Sequence, residues 1–262
     1  MDFQGSTTVI TGAGRGIGEA LAREFHRRGA TVVLADLSGA QDVATSIGGD
    51  RVVGIDADVS TEAGNIALID AARAAVGPID LFFANAGVGS GTSLADTDES
   101  VWDTAFDVNV HAHRWAAKHL MPEWLERGSG YFCSTASAAG LLAQIGSGPY
   151  TMTKRAAVAF AEWLAITYGD AGIKVSCLCP QGVNTAMLHA GDDFESGANV
   201  VKLAGDVLEP ADVATQVADT IEAETFFVLP HPEVASYMQA KAADPDRWLG
   251  GMRKLQRRAL GS

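Results

Sequence analysis

The segment T-V-I-T-G-A-G-R-G-I-G, Thr8 to Gly18, constrains the fold of this chain more than any other. An apolar run from Thr7 to Ile10 leads into the glycines, and Ala20, Leu21 and Phe25 then recur at helical spacing. A strand, a glycine turn and a helix start make an anion site, because free backbone N–H groups and the positive helix end point at whatever lies above the turn. The glycines fit G-x-x-x-G-x-G through Gly12, Gly16 and Gly18, whereas G-x-G-x-x-G fails because Ile17 occupies its last position. The competing reading is a tight strand-to-helix connection with no ligand. The next apolar run, Thr31 to Ala35, and the acid that closes it count against that.

That acid is Asp36, in T-V-V-L-A-D. A carboxylate at the tip of the second strand, beyond a glycine turn, is placed to accept hydrogen bonds from adenosine ribose hydroxyls and to repel a 2′-phosphate. Arg15 argues the other way, since a guanidinium in the turn could pair with that phosphate. Asp36 carries more weight, because its carboxylate would occupy the phosphate's own position. The expected cofactor is therefore NAD.

The rest of the chain alternates. Helical patterns at about Gln41–Ile47 and Thr61–Val76 flank a strand at Arg51–Asp56, and Gly77-Pro78 stops the second helix. A strand at Ile79–Ala84 precedes one long helix from about Glu99 to Arg127. A fifth strand follows around Gly130–Ser134, then a helix opened by Tyr150 and running to about Tyr168, and a strand at Lys174–Cys179. Strict alternation implies a parallel sheet with right-handed crossovers and helices on both faces.

Tyr150 and Lys154 stand four positions apart in Y-T-M-T-K, downstream of Ser137 in S-T-A-S-A-A-G. Residues at i and i+4 share a helix face, so the ammonium can sit near the phenol and lower a pKa that is about 10 in water. A phenol tuned that way can exchange a proton with an alcohol or carbonyl. Alone, the pair arises by chance in many helices, and Ser137 alone reads as a loop serine bonded to backbone. The glycine turn and Asp36 give both their context.

Taken together, these motifs resemble the short-chain dehydrogenase/reductase family in its compact single-domain form. The resemblance covers nearly the whole chain through T-G-A-G-R-G-I-G, Asp58-Val59, Asn85-Ala86-Gly87, Asn109 in D-V-N-V, Ser137, Tyr150 with Lys154, and Pro180 to Thr185. Two positions depart from the common pattern. Ala84 stands where many members have Asn, and Gln181 replaces a Gly, which alters the loop expected beneath the nicotinamide. The expected fold is an α/β, Rossmann-type, doubly wound sheet of seven parallel strands in the order 3-2-1-4-5-6-7. Its ligand should lie across the carboxyl ends at the switch between the first and fourth strands.

The resemblance implies roles residue by residue. Tyr150 would be the general acid/base, Lys154 would tune it and hold the nicotinamide ribose, Ser137 would bind the substrate oxygen, and Asn109 would hold a water linking Lys154 to solvent. Gly12, Arg15, Ile17 and Gly18 would frame the pyrophosphate, Asp36 the adenosine ribose, Asp58 and Val59 the adenine, Asn85 and Gly87 the middle of the cofactor, and Val183 and Thr185 the nicotinamide carboxamide. The implied activity is NAD-dependent hydride transfer between a secondary alcohol and its ketone. A non-catalytic nucleotide-binding regulator and an NADP-dependent ketoacyl-type reductase remain as alternatives.

Composition bounds the partners. The 262 residues, 47% hydrophobic, are enough for one substantial core. A formal net charge of −13 argues against nucleic acid or an anionic membrane as partner. No apolar run reaches membrane-spanning length and Met1 to Gly5 lack a signal pattern, so a cytoplasmic protein is expected. Cys133, Cys177 and Cys179 read as buried free thiols, and His111 and His113, two apart on a helix, make no metal site. Arg253, Lys254, Arg257 and Arg258 read as the solvated face of a terminal helix within a tail at about 232–262.

Residues at about 186–205 lack a sustained period and lie where the family places its substrate lid. Met187, Leu188 and Phe194, with Leu141, Leu142 and Gln144 opposite, suggest an apolar pocket and a hydrophobic substrate. Apolar residues on more than one face of the helices at 99–127 and 150–168, among them Trp115, Phe160 and Trp163, call for a partner. A homotetramer is expected.

Overall fold

The computed structural model describes residues 1–89, 91, 94–189 and 205–260. Seven strands, β1 (Thr7–Thr11), β2 (Thr31–Asp36), β3 (Val52–Asp56), β4 (Leu81–Ala84), β5 (Gly130–Thr135), β6 (Ile173–Leu178) and β7 (Phe227–Val228), form one sheet. Its order is β3-β2-β1-β4-β5-β6-β7 and every pairing is parallel, as expected.

Side-chain alternation along the central strands divides the core in two. Val9, Val33, Phe82 and Phe132 face α3 (Glu62–Val76), α5 (Ala112–Arg127) and α7 (Gly148–Tyr168). Their neighbours Ile10, Val32, Leu34, Leu81, Phe83 and Cys133 face α1 (Gly16–Arg27), α2 (Ala40–Ile47) and a later helix, α9 (Pro210–Glu222). A strand buried on both faces needs apolar residues at every position, which is why these read as continuous apolar runs. The remaining α-helices among the described residues are α4 (Glu99–Phe106), α6 (Ala138–Leu142), α8 (Ala186–His189), α10 (Glu233–Ala243) and α11 (Pro245–Leu260).

The strand order reverses between β1 and β4, and the chain there is tightly welded. Gly12 has φ 64°, and a Cβ on it would lie 2.8 Å from Ala86 Cα. A Cβ on Gly18 would collide with the Gly12 carbonyl oxygen. The glycine spacing therefore lets α1 start directly against β1.

Two expectations need correction. The long helix expected from Glu99 to Arg127 is interrupted by a π-helical turn at Asp107–His111, between α4 and α5. The turn carries Asn109, whose side-chain amide accepts from the Val88 N–H and donates to the Val88 carbonyl. The lid expected at about 186–205 is described only at its start, α8, and its end; Phe194 lies outside the described residues.

The three cysteines are free and buried, with Cys177 and Cys179 Sγ atoms 3.8 Å apart. His113 is buried with Nδ1 2.7 Å from Ser134 Oγ, whereas His111 packs against Trp115, so the two rings serve different surroundings. Among the described residues no group of three metal-binding side chains gathers, and no helix is long and apolar enough to cross a membrane.

Candidate active site

A cavity of about 1680 Å³ runs along the carboxyl ends of the strands. Asp36 and Asp58, the glycine turn, and Ser137, Tyr150 and Lys154 all line this one space.

The glycine end has the donor chemistry of an anion site. Arg15, the N-cap of α1, is exposed and contributes no side-chain cap, so the N–H groups of the first turn keep no side-chain partner where Gly16, Ile17 and Gly18 line the cavity. Asp36 braces the turn beside them, its Oδ2 accepting from Gly14 N–H at 2.9 Å and its Oδ1 from Ser38 N–H at 3.4 Å. Uncapped donors for phosphate and a carboxylate at the adjoining strand tip fit a dinucleotide. Asp58 lies exposed in a turn, accepting from Ser60 N–H at 2.9 Å, and Val59 is buried beside it.

Asn85 lines the cavity with its side-chain amide already committed. Its Nδ2 donates to the carbonyls of Thr11 and Gly12 at 2.9 and 3.2 Å, and its Oδ1 accepts from Thr135 at 2.9 Å. It ties the ends of β1, β4 and β5 together. Gly87 is small for a similar reason: a Cβ there would lie 3.1 Å from Lys154 Nζ and 3.2 Å from Asn109 Oδ1.

Ser137 caps α6, accepting from Ala139 N–H at 3.1 Å and donating to the Pro180 carbonyl at 3.4 Å. It also hydrogen-bonds Tyr150. Ser147 caps α7 and so fixes Tyr150 in its first turn, with Lys154 one turn on. Lys154 Nζ donates to the Thr135 carbonyl at 2.8 Å and lies 5.7 Å from the Tyr150 ring centroid. Asn109, fully buried, donates to Thr153 Oγ1 at 3.1 Å as well as to Val88.

The electrostatics differ from the expectation of a lowered phenol. Burial pushes the Tyr150 phenol above its ordinary value, with the Ser137 hydrogen bond opposing. Burial likewise brings Lys154 down to about 8. Desolvation is the largest influence on both groups, and Nζ donates to the Thr135 carbonyl and not to the phenol.

Gln144, Met187 and Leu188 line the cavity, and so do Val183 and Thr185. Leu141, expected with them, packs in the core instead, because α6 turns it inward and leaves Leu142 facing the cavity. Among the lining residues that escaped the sequence reading are Tyr237 of α10 and Trp248, Met252 and Leu255 of α11. The signal available was the i, i+4, i+7 spacing of the last three, opposite the basic cluster.

The family model of the short chain dehydrogenases matches residues 6–196. Oxidoreductase UcpA of Salmonella typhimurium is 34% identical over 190 residues, covering 71% of this chain and 72% of that protein. The 17-beta-hydroxysteroid dehydrogenase 13 of Rattus norvegicus is 35% identical over 224 residues, covering 83% and 72%. A short chain dehydrogenase/reductase from Burkholderia phymatum, solved in complex with NAD, superimposes with a TM-score of 0.85 at 30% identity, covering 94% of this chain and 96% of that one. With its sheet order, its glycine turn and its Ser–Tyr–Lys cluster in place, the chain belongs to the short-chain dehydrogenase/reductase family of oxidoreductases.

Proposed function

We propose that the protein interconverts a hydrophobic secondary alcohol and its ketone with NAD, using Tyr150 as the general acid/base. The observation that carries this reading is the continuity of one cavity from Asp36 to the Ser137–Tyr150–Lys154 cluster. NAD, when bound, accepts or supplies the hydride at its nicotinamide carbon. Gly12, Arg15, Ile17 and Gly18 would hold its phosphates, Asp36 its adenosine ribose, Asp58 and Val59 its adenine, and Gly87, Val183 and Thr185 its nicotinamide half, with Asn85 holding the frame.

The chain's own residues account for the proton. Ser137 hydrogen-bonds the substrate oxygen beside the Tyr150 hydroxyl, and the phenol, kept protonated by burial, donates to a ketone oxygen as it becomes an alcohol. In the reverse direction the phenol must first lose its proton, so alcohol oxidation gains as pH rises. Lys154 holds the cofactor's ribose and biases the phenolate, and Asn109, across Gly87 from Nζ, orders the path by which Lys154 exchanges protons with solvent.

A hydrophobic substrate is supported by Met187, Leu188 and Leu142 along the cavity wall. The name of the rat relative points to hydroxysteroids for that protein, a secondary-alcohol chemistry compatible with such a wall. Three free buried thiols suit a reducing, cytoplasmic setting.

The test is Tyr150→Phe. It keeps the ring, so NAD binding measured by calorimetry should persist while turnover falls at least about 100-fold. Near-normal rates, with chemistry shown to be limiting, would remove Tyr150 from this role.

A further inference from the structure

Helix α11 lies wholly outside the segment matched by the family model, yet it closes the deep cavity. The helix that precedes it, α10, is anchored to α6. Lys241 of α10 donates to the Leu141 carbonyl at 2.6 Å, and Arg155 of α7 donates to the Gly140 carbonyl at 2.9 Å, so the end of α6 carries two cations. The turn into α11 is fixed by Asp244, which accepts from Trp248 N–H through its carbonyl at 3.0 Å and from Arg247 N–H through its carboxylate at 2.9 Å.

These anchors place one face of α11 over the site. Trp248, Met252 and Leu255 face the cavity, with the Tyr237 ring 6.0 Å from that of Trp248, while Arg253, Lys254, Arg257 and Arg258 are exposed. Trp248 and Met252 also border a second cavity of about 490 Å³, so they stand between two spaces. Within the wall, Gly251 lines the main cavity and a Cβ there would meet nothing within 4 Å. A glycine in mid-helix costs stability, so its presence at a position that lines the cavity calls for a reason, and the open space it leaves there supplies one.

We propose that α11 is the specificity wall of the substrate site, and that it selects alcohols or ketones carrying a wide, flat apolar group of at least two fused rings. The proposal rests on the alcohol–ketone reading above. Indole and phenol faces and a thioether favour aromatic partners over short aliphatic chains. The cavity, at about 1680 Å³, also exceeds the roughly 300–1,000 Å³ of an ordinary small-molecule site, leaving room for a bulky substrate beside a dinucleotide.

The test uses the full chain loaded with NAD, with which a ketone cannot react, and measures the Kd of 2-acetylnaphthalene and of butan-2-one by calorimetry, with turnover read separately in the presence of NADH. Wild type should bind the naphthyl ketone the more tightly. Gly251→Phe, which fills the open space, and Met252→Ala, which removes a wall, should each raise the naphthyl Kd at least about tenfold and narrow the preference. Gly251→Ala should raise Tm, showing that the glycine is not kept for the helix. No naphthyl binding by wild type, or a Kd within about twofold in both wall variants, would overturn the proposal. Naphthyl binding with the expected variant response but no oxidation of NADH would leave the wall standing and defeat the redox reading instead.

Discussion

Asp36 offers the sharpest test of cofactor choice, and its double duty dictates which substitution to make. Its carboxylate closes β2 at the cavity and also accepts from Gly14 N–H at 2.9 Å, bracing the glycine turn. Asp36→Ala removes the charge and the brace together. Asp36→Asn removes the charge and leaves an amide oxygen for Gly14. A unit of like charge about 4 Å away costs roughly 4 kcal/mol at an effective dielectric near 20. Asp36 is only partly buried, so screening reduces this; about 2.7 kcal/mol is enough for 100-fold discrimination. Wild type should therefore prefer NAD over NADP by at least about 100-fold in kcat/KM. Asp36→Asn should narrow that preference to within about tenfold with little change in Tm, and Asp36→Ala should also lower Tm. Arg15, exposed at the turn, should supply the NADP gain, so adding Arg15→Ala should abolish it. Steady-state kinetics with both cofactors at two salt concentrations reads all of this. Equal use of both by wild type, or an unmoved preference in Asp36→Asn, would refute the argument that the carboxylate reads the ribose.

Three further outcomes are expected. His113 is buried, and burial first, then the Lys154 charge, hold its imidazole down to about 3, whereas an unfolded chain protonates it near 6.5. Its contribution to stability is thus present above pH 6.5 and lost as pH falls toward 3, about 2 kcal/mol by pH 5. His113→Gln, which does not titrate, should flatten the decline in urea-melt stability from pH 7 to pH 5, and an identical decline would count against the assignment. Ala143, at the end of α6, holds φ 88° and ψ 146°, a region that costs a side-chain-bearing residue about 1–3 kcal/mol. Ala143→Gly should accordingly gain about 1 kcal/mol by thermal melt after the entropy of glycine is subtracted. Trp163 and Ile166 of α7 are 51% and 84% exposed, with Trp163 stacked on Phe160, an apolar face on which a second copy of the chain is expected to pack. Light scattering at micromolar concentration should give a mass above one chain, and Ile166→Glu should lower it.

What the sequence by itself determined is what short-range periodicity and steric necessity dictate. Alternating apolar runs and helical patterns forced a parallel sheet, and the glycines at 12 and 18 could be nothing larger, because the backbone passes too close. The i, i+4 spacing of Tyr150 and Lys154 likewise placed both on one face of α7. Only the tertiary structure decided quantities that depend on what surrounds a group. Burial, which no spacing reveals, raised the Tyr150 phenol, and the Thr135 carbonyl drew Lys154 past it. The rotation of α6 buried Leu141 and turned Leu142 to the cavity, a choice of face that five residues are too few to settle. The π turn at Asn109 exists because Val88 offers both a donor and an acceptor from a distant segment. The placement of α11 over the cavity was the least legible. An amphipathic pattern says that a face must be covered, and contacts such as the Tyr237 ring against Trp248 decide what covers it.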